Sequence, residues 1–204
     1  IFKREFKSYF QNVIGWLFVA ALLAVYGLYF YVYNLKNGYP YISYDLNGIG
    51  FIMMIAVPIL TMRSLSDEKK TKTDQLMLTS PVSVGKIVAG KYFAMAAVYT
   101  IDIALFALSP LVLSIYGKVA LSEAYVALFG YWLYGLSCIA VGLFISSISE
   151  SVIISAILTF AALFLSYMMQ SITGLISSSG NLLTKVLNCF DLYTPFENFV
   201  SGWL

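Results

Sequence analysis

Five apolar runs, residues 14–33, 46–62, 87–115, 124–146 and 152–172, constrain this chain more than any other feature. A helix needs about 20 consecutive apolar residues to cross the hydrocarbon core of a bilayer, and these runs approach or exceed that length. Only 11% of the residues are charged, against roughly a quarter in soluble domains, so the solvent the sequence is written for is lipid. The fold class that follows is all-α: a polytopic helical membrane protein whose residues 1–204 form one transmembrane domain.

Residue usage removes several chemistries. The chain has no histidine, which takes away the commonest general base and zinc ligand and excludes an HExxH metalloprotease. Cys138 and Cys189 lie in different segments without a CxxC spacing and read as free thiols. A net charge of +2 is too small to call for nucleic acid. No catalytic, cofactor-binding or metal-ligating residue is assigned.

Taken in order, residues 1–12 read as an amphipathic interfacial helix, with Phe2, Phe6, Tyr9 and Phe10 on one face and Lys3, Arg4, Glu5, Lys7 and Gln11 on the other. The first span follows over 14–33, ending in the aromatics Tyr26, Tyr29, Tyr31 and Tyr33 of an interfacial belt, and a loop over 34–45 turns at Asn37-Gly38. The second span, 46–62, carries a bending Pro58. The third, 87–115, is longer than a bilayer requires, so it projects, tilts or bends at Pro110. In the fourth, 124–146, Gly130, Gly135, Ser137, Cys138 and Gly142 offer close-packing surfaces. A short turn with a solvated Glu150 leads to the fifth span, 152–172. Beyond it, residues 174–180 read as a small-residue loop, 181–188 as a short helix, and Thr194-Pro195-Phe196-Glu197 as a capping box opening a last helix through Phe196, Phe199, Val200 and Trp203. The chain begins at Ile1 and stops at Leu204 inside an apolar pattern, which reads as a fragment.

Between the second and third spans lies the one long polar island, residues 63–91. Ser66 is expected to cap a short helix with Asp67 and Glu68 in its first turn and Lys69, Lys70 and Lys72 later, the order that the helix dipole favours. Leu65, Leu76, Met77 and Leu78 give it an apolar side, and Ser80-Pro81 stops it. Residues 85–92 imitate a phosphate-binding GxxxxGK[ST] loop, with Tyr92 in place of the Ser or Thr. Such a loop follows a buried strand, whereas this stretch leads into a membrane span, so Gly85, Ala89 and Gly90 are read as small residues for close helix approach. Asp102, deep in the third span, has either a proton or cation role or a structural hydrogen bond to a neighbouring Thr, Tyr or Ser. With the amino terminus in the cytoplasm, nine basic residues from Lys3 to Lys91 lie inside and Lys36, Lys118 and Lys185 lie outside, which fixes the orientation by the positive-inside rule.

The interfacial first helix, the stretch DEKKTKTDQLMLTSPVSVGKIVAGKY, the turn GLFISSISES and the small helices after the fifth span together resemble the permease subunit of an ABC-2-type transporter, in the branch related to gliding motility. The most specific part is Glu68-Lys69-Lys70 through Leu78-Thr79-Ser80-Pro81, then Gly90-Lys91-Tyr92; Lys72 departs from the pattern, where such sequences commonly carry glycine. The resemblance implies a six-span permease in the bacterial plasma membrane, an exporter that pairs with a second permease subunit and docks a cytoplasmic ABC ATPase subunit through residues 63–86. It also implies a sixth span after the outer helical region 174–204. On this reading Leu76, Met77 and Leu78 enter a groove of the ATPase while Glu68, Lys69 and Lys70 make charged contacts at its rim. Membrane lipid is the other partner. An ion-coupled carrier or channel using Asp102 stays open beside it, as does a membrane scaffold; an embedded enzyme is weaker, because the acids lie at different depths.

Overall fold

The computed structural model describes residues 2–72, 83–116, 119–176 and 191–201. Among the described residues every regular element is helical. Helix α1 covers Phe2–Gln11, α2 Val13–Phe30 with a π-helical continuation over Tyr31–Lys36, α3 Ser43–Thr61, and α4 Ser66–Lys70. Then come α5 Val84–Phe106, α6 Ser109–Tyr116, α7 Leu121–Ile148, α8 Val152–Ile176 and α9 Tyr193–Ser201. Five stretches among the described residues are long and apolar enough to cross a membrane: Val13–Lys36, Ser43–Lys70, Val84–Tyr116, Leu121–Ile148 and Val152–Met169. The protein is an all-α polytopic membrane protein.

Helices α3 and α7 form the centre. Helix α3 packs on α2, α7 and α8, and α7 packs on α3, α5, α8 and α9. On α3, Leu46, Ile49, Met53, Val57 and Leu60 are fully buried, a stripe at helical spacing that meets Leu128, Tyr131, Ile139 and Leu143 of α7 in one core. Lipid-facing side chains are apolar as well: Phe144, Ile148, Ile153, Ile157 and Leu165 are more than half exposed. In water that surface would drive aggregation, and in a bilayer it is the solvated face.

Glycine sets how closely the central helices meet. A Cβ on Gly135 would lie 2.3 Å from the Tyr99 ring, and one on Gly142 would lie 2.5 Å from Thr61 Oγ1. The glycines of the fourth span and the buried Cys138 do the packing that their sequence suggests, whereas the half-buried Ser137 donates back to the Leu133 carbonyl of its own helix. Gly85 is different: an added Cβ would meet nothing, and Gly85 and Ala89 are both exposed. The close approach expected there is made within this chain by α1 lying across α5, through other residues.

Several boundaries differ from the expectations for physical reasons. The first span does not stop before Asn34: the π-helical turn carries it to Lys36, and Asn34 is buried because its amide donates to Asp45 Oδ2 in the first turn of α3. Gly38, at φ 69, then turns the chain, which only glycine does freely. The third span breaks between Phe106 and Ser109, since Pro110 has no N–H and its ring would collide with the carbonyl one turn earlier. Helix α8 runs on to Ile176, past the expected loop start at Gly174.

The capping box at Thr194 is not formed. Asp191 Oδ1 accepts from the backbone N–H groups of Tyr193 and Thr194, each at 3.0 Å, and its Oδ2 accepts from the Thr194 hydroxyl. A carboxylate placed just before the first turn outcompetes the hydroxyl for the free donors. Helix α9 so capped packs on α7, α3 and α8, with Phe196 buried among Tyr131, Tyr134 and Tyr193. The expected short helix over 181–188 and Trp203 lie outside the described residues.

Candidate functional site

The polar island begins where α3 ends, and its first turn is fastened from a distance. Ser64 N–H closes a turn on the Thr61 carbonyl at 3.0 Å, and α4 starts at Ser66. Ser66 does not cap this helix, because its hydroxyl points backward and donates to the Met62 carbonyl. The free donors are taken by Ser146 at the end of α7, whose Oγ accepts from Leu65 N–H and Ser66 N–H, both at 3.2 Å. The helix ends after Lys70. Thr71 N–H reaches the Asp67 carbonyl at 3.0 Å, and Lys72 takes a left-handed backbone with φ 56. Glycine adopts that conformation without steric cost, whereas a lysine there is strained.

Beneath α4 sits Lys91, in the second turn of α5. It is 2% exposed, and its ammonium donates to Glu68 Oε1 at 2.6 Å, Glu5 Oε2 at 3.3 Å and the Ser64 carbonyl at 3.0 Å. An ammonium has three N–H donors, and here each one has an acceptor. The partners come from three places: α1, the turn after α3, and α4. One buried charge therefore ties the interfacial helix, the second span and the island helix to the third span. Burying a lysine costs several kcal/mol unless it is paired, so this geometry is strongly specified once the chain folds.

Arg4, Arg63 and Asp67 line the same cleft, of about 230 Å³, together with Tyr9 and Asn12. Burial pushes the Tyr9 phenol above its ordinary range, and the Glu5 and Glu68 charges add to the rise, so it stays neutral. Of the residues expected at a docking rim, Lys70 is exposed, Lys69 is half-buried, and Glu68 turns one carboxylate oxygen inward to Lys91. Leu76, Met77 and Leu78 lie outside the described residues.

Residues 85–92 do not form a phosphate loop. They belong to α5 from its first turn, and the N–H groups of Lys86 and Ile87 are engaged by the Ser83 carbonyl.

Asp102 lies on α5 away from this cleft. It is fully buried, and neither carboxylate oxygen has a hydrogen-bond partner among the described residues. The expected bond to a neighbouring Thr, Tyr or Ser is not made among the described residues: Tyr99 donates to the Tyr131 carbonyl at 2.7 Å and Thr100 to the Ala96 carbonyl at 2.7 Å, while the buried Tyr131 hydroxyl is likewise left without a partner. Trp132 Nε1 donates to Thr100 Oγ1 at 3.1 Å and Tyr92 to the Leu136 carbonyl at 3.2 Å. With Tyr99, these contacts stitch α5 to α7 along the membrane depth.

In the sequence, Lys91 stands out only as one of nine inside charges and as part of Gly90-Lys91-Tyr92, not as a buried ion centre. The signal was present: Ile87, Lys91, Ala94, Met95 and Val98 share the buried face of α5, and a lysine on that stripe needs carboxylates. Ser146 gave no such signal, since a serine near a helix end is ordinary.

The sequence matches the family described as ABC-2 family transporter protein over residues 29–201. The chain belongs to the ABC-2 family. Comparison with curated proteins and with solved structures returns no significant match. As an ABC-2 member the chain is a permease subunit of an ABC transporter, and the family implies an ABC ATPase partner. The matched region of this ABC-2 permease contains Glu68, Lys91 and Ser146 but starts after α1, so the Glu5 arm of the lysine cluster lies outside it.

Proposed function

We propose that this ABC-2 permease is half of an exporter in a bacterial plasma membrane, with its amino terminus cytoplasmic, and that it docks its ATPase through residues 63–86. The observation that carries the reading is Lys91. It joins helix α4, whose Lys70 is exposed, to the third span and to α1, so a displacement of α4 is delivered to the membrane helices through the Lys91 ion cluster. ATP can drive alternating access only if the ATPase has a different interaction free energy with each permease state, and a rigid contact meets that need. In this scheme Leu76, Met77 and Leu78 enter the ATPase groove, Lys69 and Lys70 face its rim, and Glu68 bridges rim and lysine. A second permease subunit, identical or related, completes the pathway.

Replacing Leu76, Met77 and Leu78 together by Ser is the test. The ATPase should no longer co-purify while membrane insertion is unchanged, and retained association would overturn the docking role.

A second reading attaches to the buried Asp102, whose carboxylate has no hydrogen-bond partner among the described residues and which an ion-coupled carrier could use. The discriminating variant is Asp102→Asn. ATP-driven transport survives it under the first reading, whereas transport that follows an ion gradient without ATP and dies in this variant supports the second.

A further inference from the structure

At the end of the bundle opposite Lys91, a pocket of about 720 Å³ opens between the start of α3, the start of α7 and helix α9. That volume is in the range that holds a drug-sized molecule. Its wall is mixed in a definite way. Glu123 and Glu197 supply two carboxylates; Tyr41 and Tyr44, 50% and 54% exposed, supply aromatic surface; and Phe199 and Val200 supply an apolar floor. Asn47, whose Oδ1 accepts from the Tyr193 hydroxyl at 3.5 Å, adds a polar group. No lysine or arginine is among the described lining residues.

From this geometry we infer that the pocket binds a cationic amphiphile, an ammonium or guanidinium head carried on an aromatic or aliphatic body. Three features agree on that class. The carboxylates attract the positive head and repel anions; open tyrosine faces add cation–π attraction, worth more for a quaternary ammonium than for a neutral group; and the floor takes the apolar body. An anionic or neutral polar ligand would use one of these features at most. The placement of Phe199 is fixed by Gly130, where a Cβ would lie 2.6 Å from the Phe199 Cβ, so the floor is built into the α7–α9 contact. Such binding is independent of ATP coupling.

The test uses the full chain in lipid nanodiscs and two probes, benzyltrimethylammonium and its uncharged carbon isostere neopentylbenzene, followed by saturation-transfer NMR. The cation should bind at least tenfold more tightly than the isostere. Glu123→Gln with Glu197→Gln should remove at least a factor of ten, and Tyr44→Leu a further few-fold. Glu150→Gln, an exposed carboxylate at the other end, should change nothing. Equal binding of both probes, or cation binding unchanged in the Gln and Leu variants, would show partition into lipid only and overturn the inference. Thermal unfolding of each variant, with the altered side chains at the surface, confirms that the fold is intact.

Discussion

Lys91 Nζ lies 2.6 Å from Glu68 Oε1, across the boundary between a membrane span and the polar helix beneath it. The lysine is almost wholly buried while Glu68 and Glu5 keep 19% and 18% of their side-chain surface, so the positive charge depends on two carboxylates that still touch solvent.

Removing the lysine should cost more than removing either acid. Lys91→Met leaves two partly buried carboxylates facing each other, and breaking a buried pair this way costs about 3 kcal/mol, at the low end of the range because the acids are partly solvated. Glu5→Gln, at the longer distance of 3.3 Å, should cost about 1 kcal/mol. The triple variant Lys91→Met, Glu5→Gln, Glu68→Gln should recover part of the loss, since no buried charge is left without a partner. Thermal unfolding in detergent distinguishes these outcomes.

Ser146→Ala should loosen α4 without disturbing the bundle. It leaves the Leu65 and Ser66 N–H groups without their acceptor, a loss of about 0.5–2 kcal/mol typical of helix caps. Hydrogen exchange at those two amides should accelerate several-fold while the amides in the middle of α7 keep their protection.

Two glycine substitutions should differ in sign. Gly135→Ala drives a methyl into the buried Tyr99 ring and should destabilise by about 1–3 kcal/mol. Gly85→Ala meets open space in the first turn of α5 and should be neutral or stabilising by up to about 1 kcal/mol. Paired unfolding midpoints check both.

The five spans were legible because each is a one-dimensional signal, a run of apolar residues long enough for a bilayer. Gly135 and Gly142 were legible as packing residues for a related reason: small residues in an apolar helix have few other uses. Capping was not legible. Ser66 and Thr194 are good local candidates, yet the donors go to Ser146, eighty positions from Ser66 in the chain, and to the acid Asp191, because tertiary contact decides which acceptor arrives. Lys91 falls between these cases. Its position on the buried stripe was readable, but its partners Glu5 and Glu68 become neighbours only when α1 folds across α5 and α4 tucks under it.

If α4 is the face that meets the ATPase, a contact can be trapped there directly. A photo-crosslinking residue in place of exposed Lys70 should yield a covalent adduct with the co-purified ATPase subunit, and the same residue in place of Glu123, at the opposite end, should yield none. An ATPase that co-purifies but crosslinks from position 123 and not from position 70 would contradict that docking face.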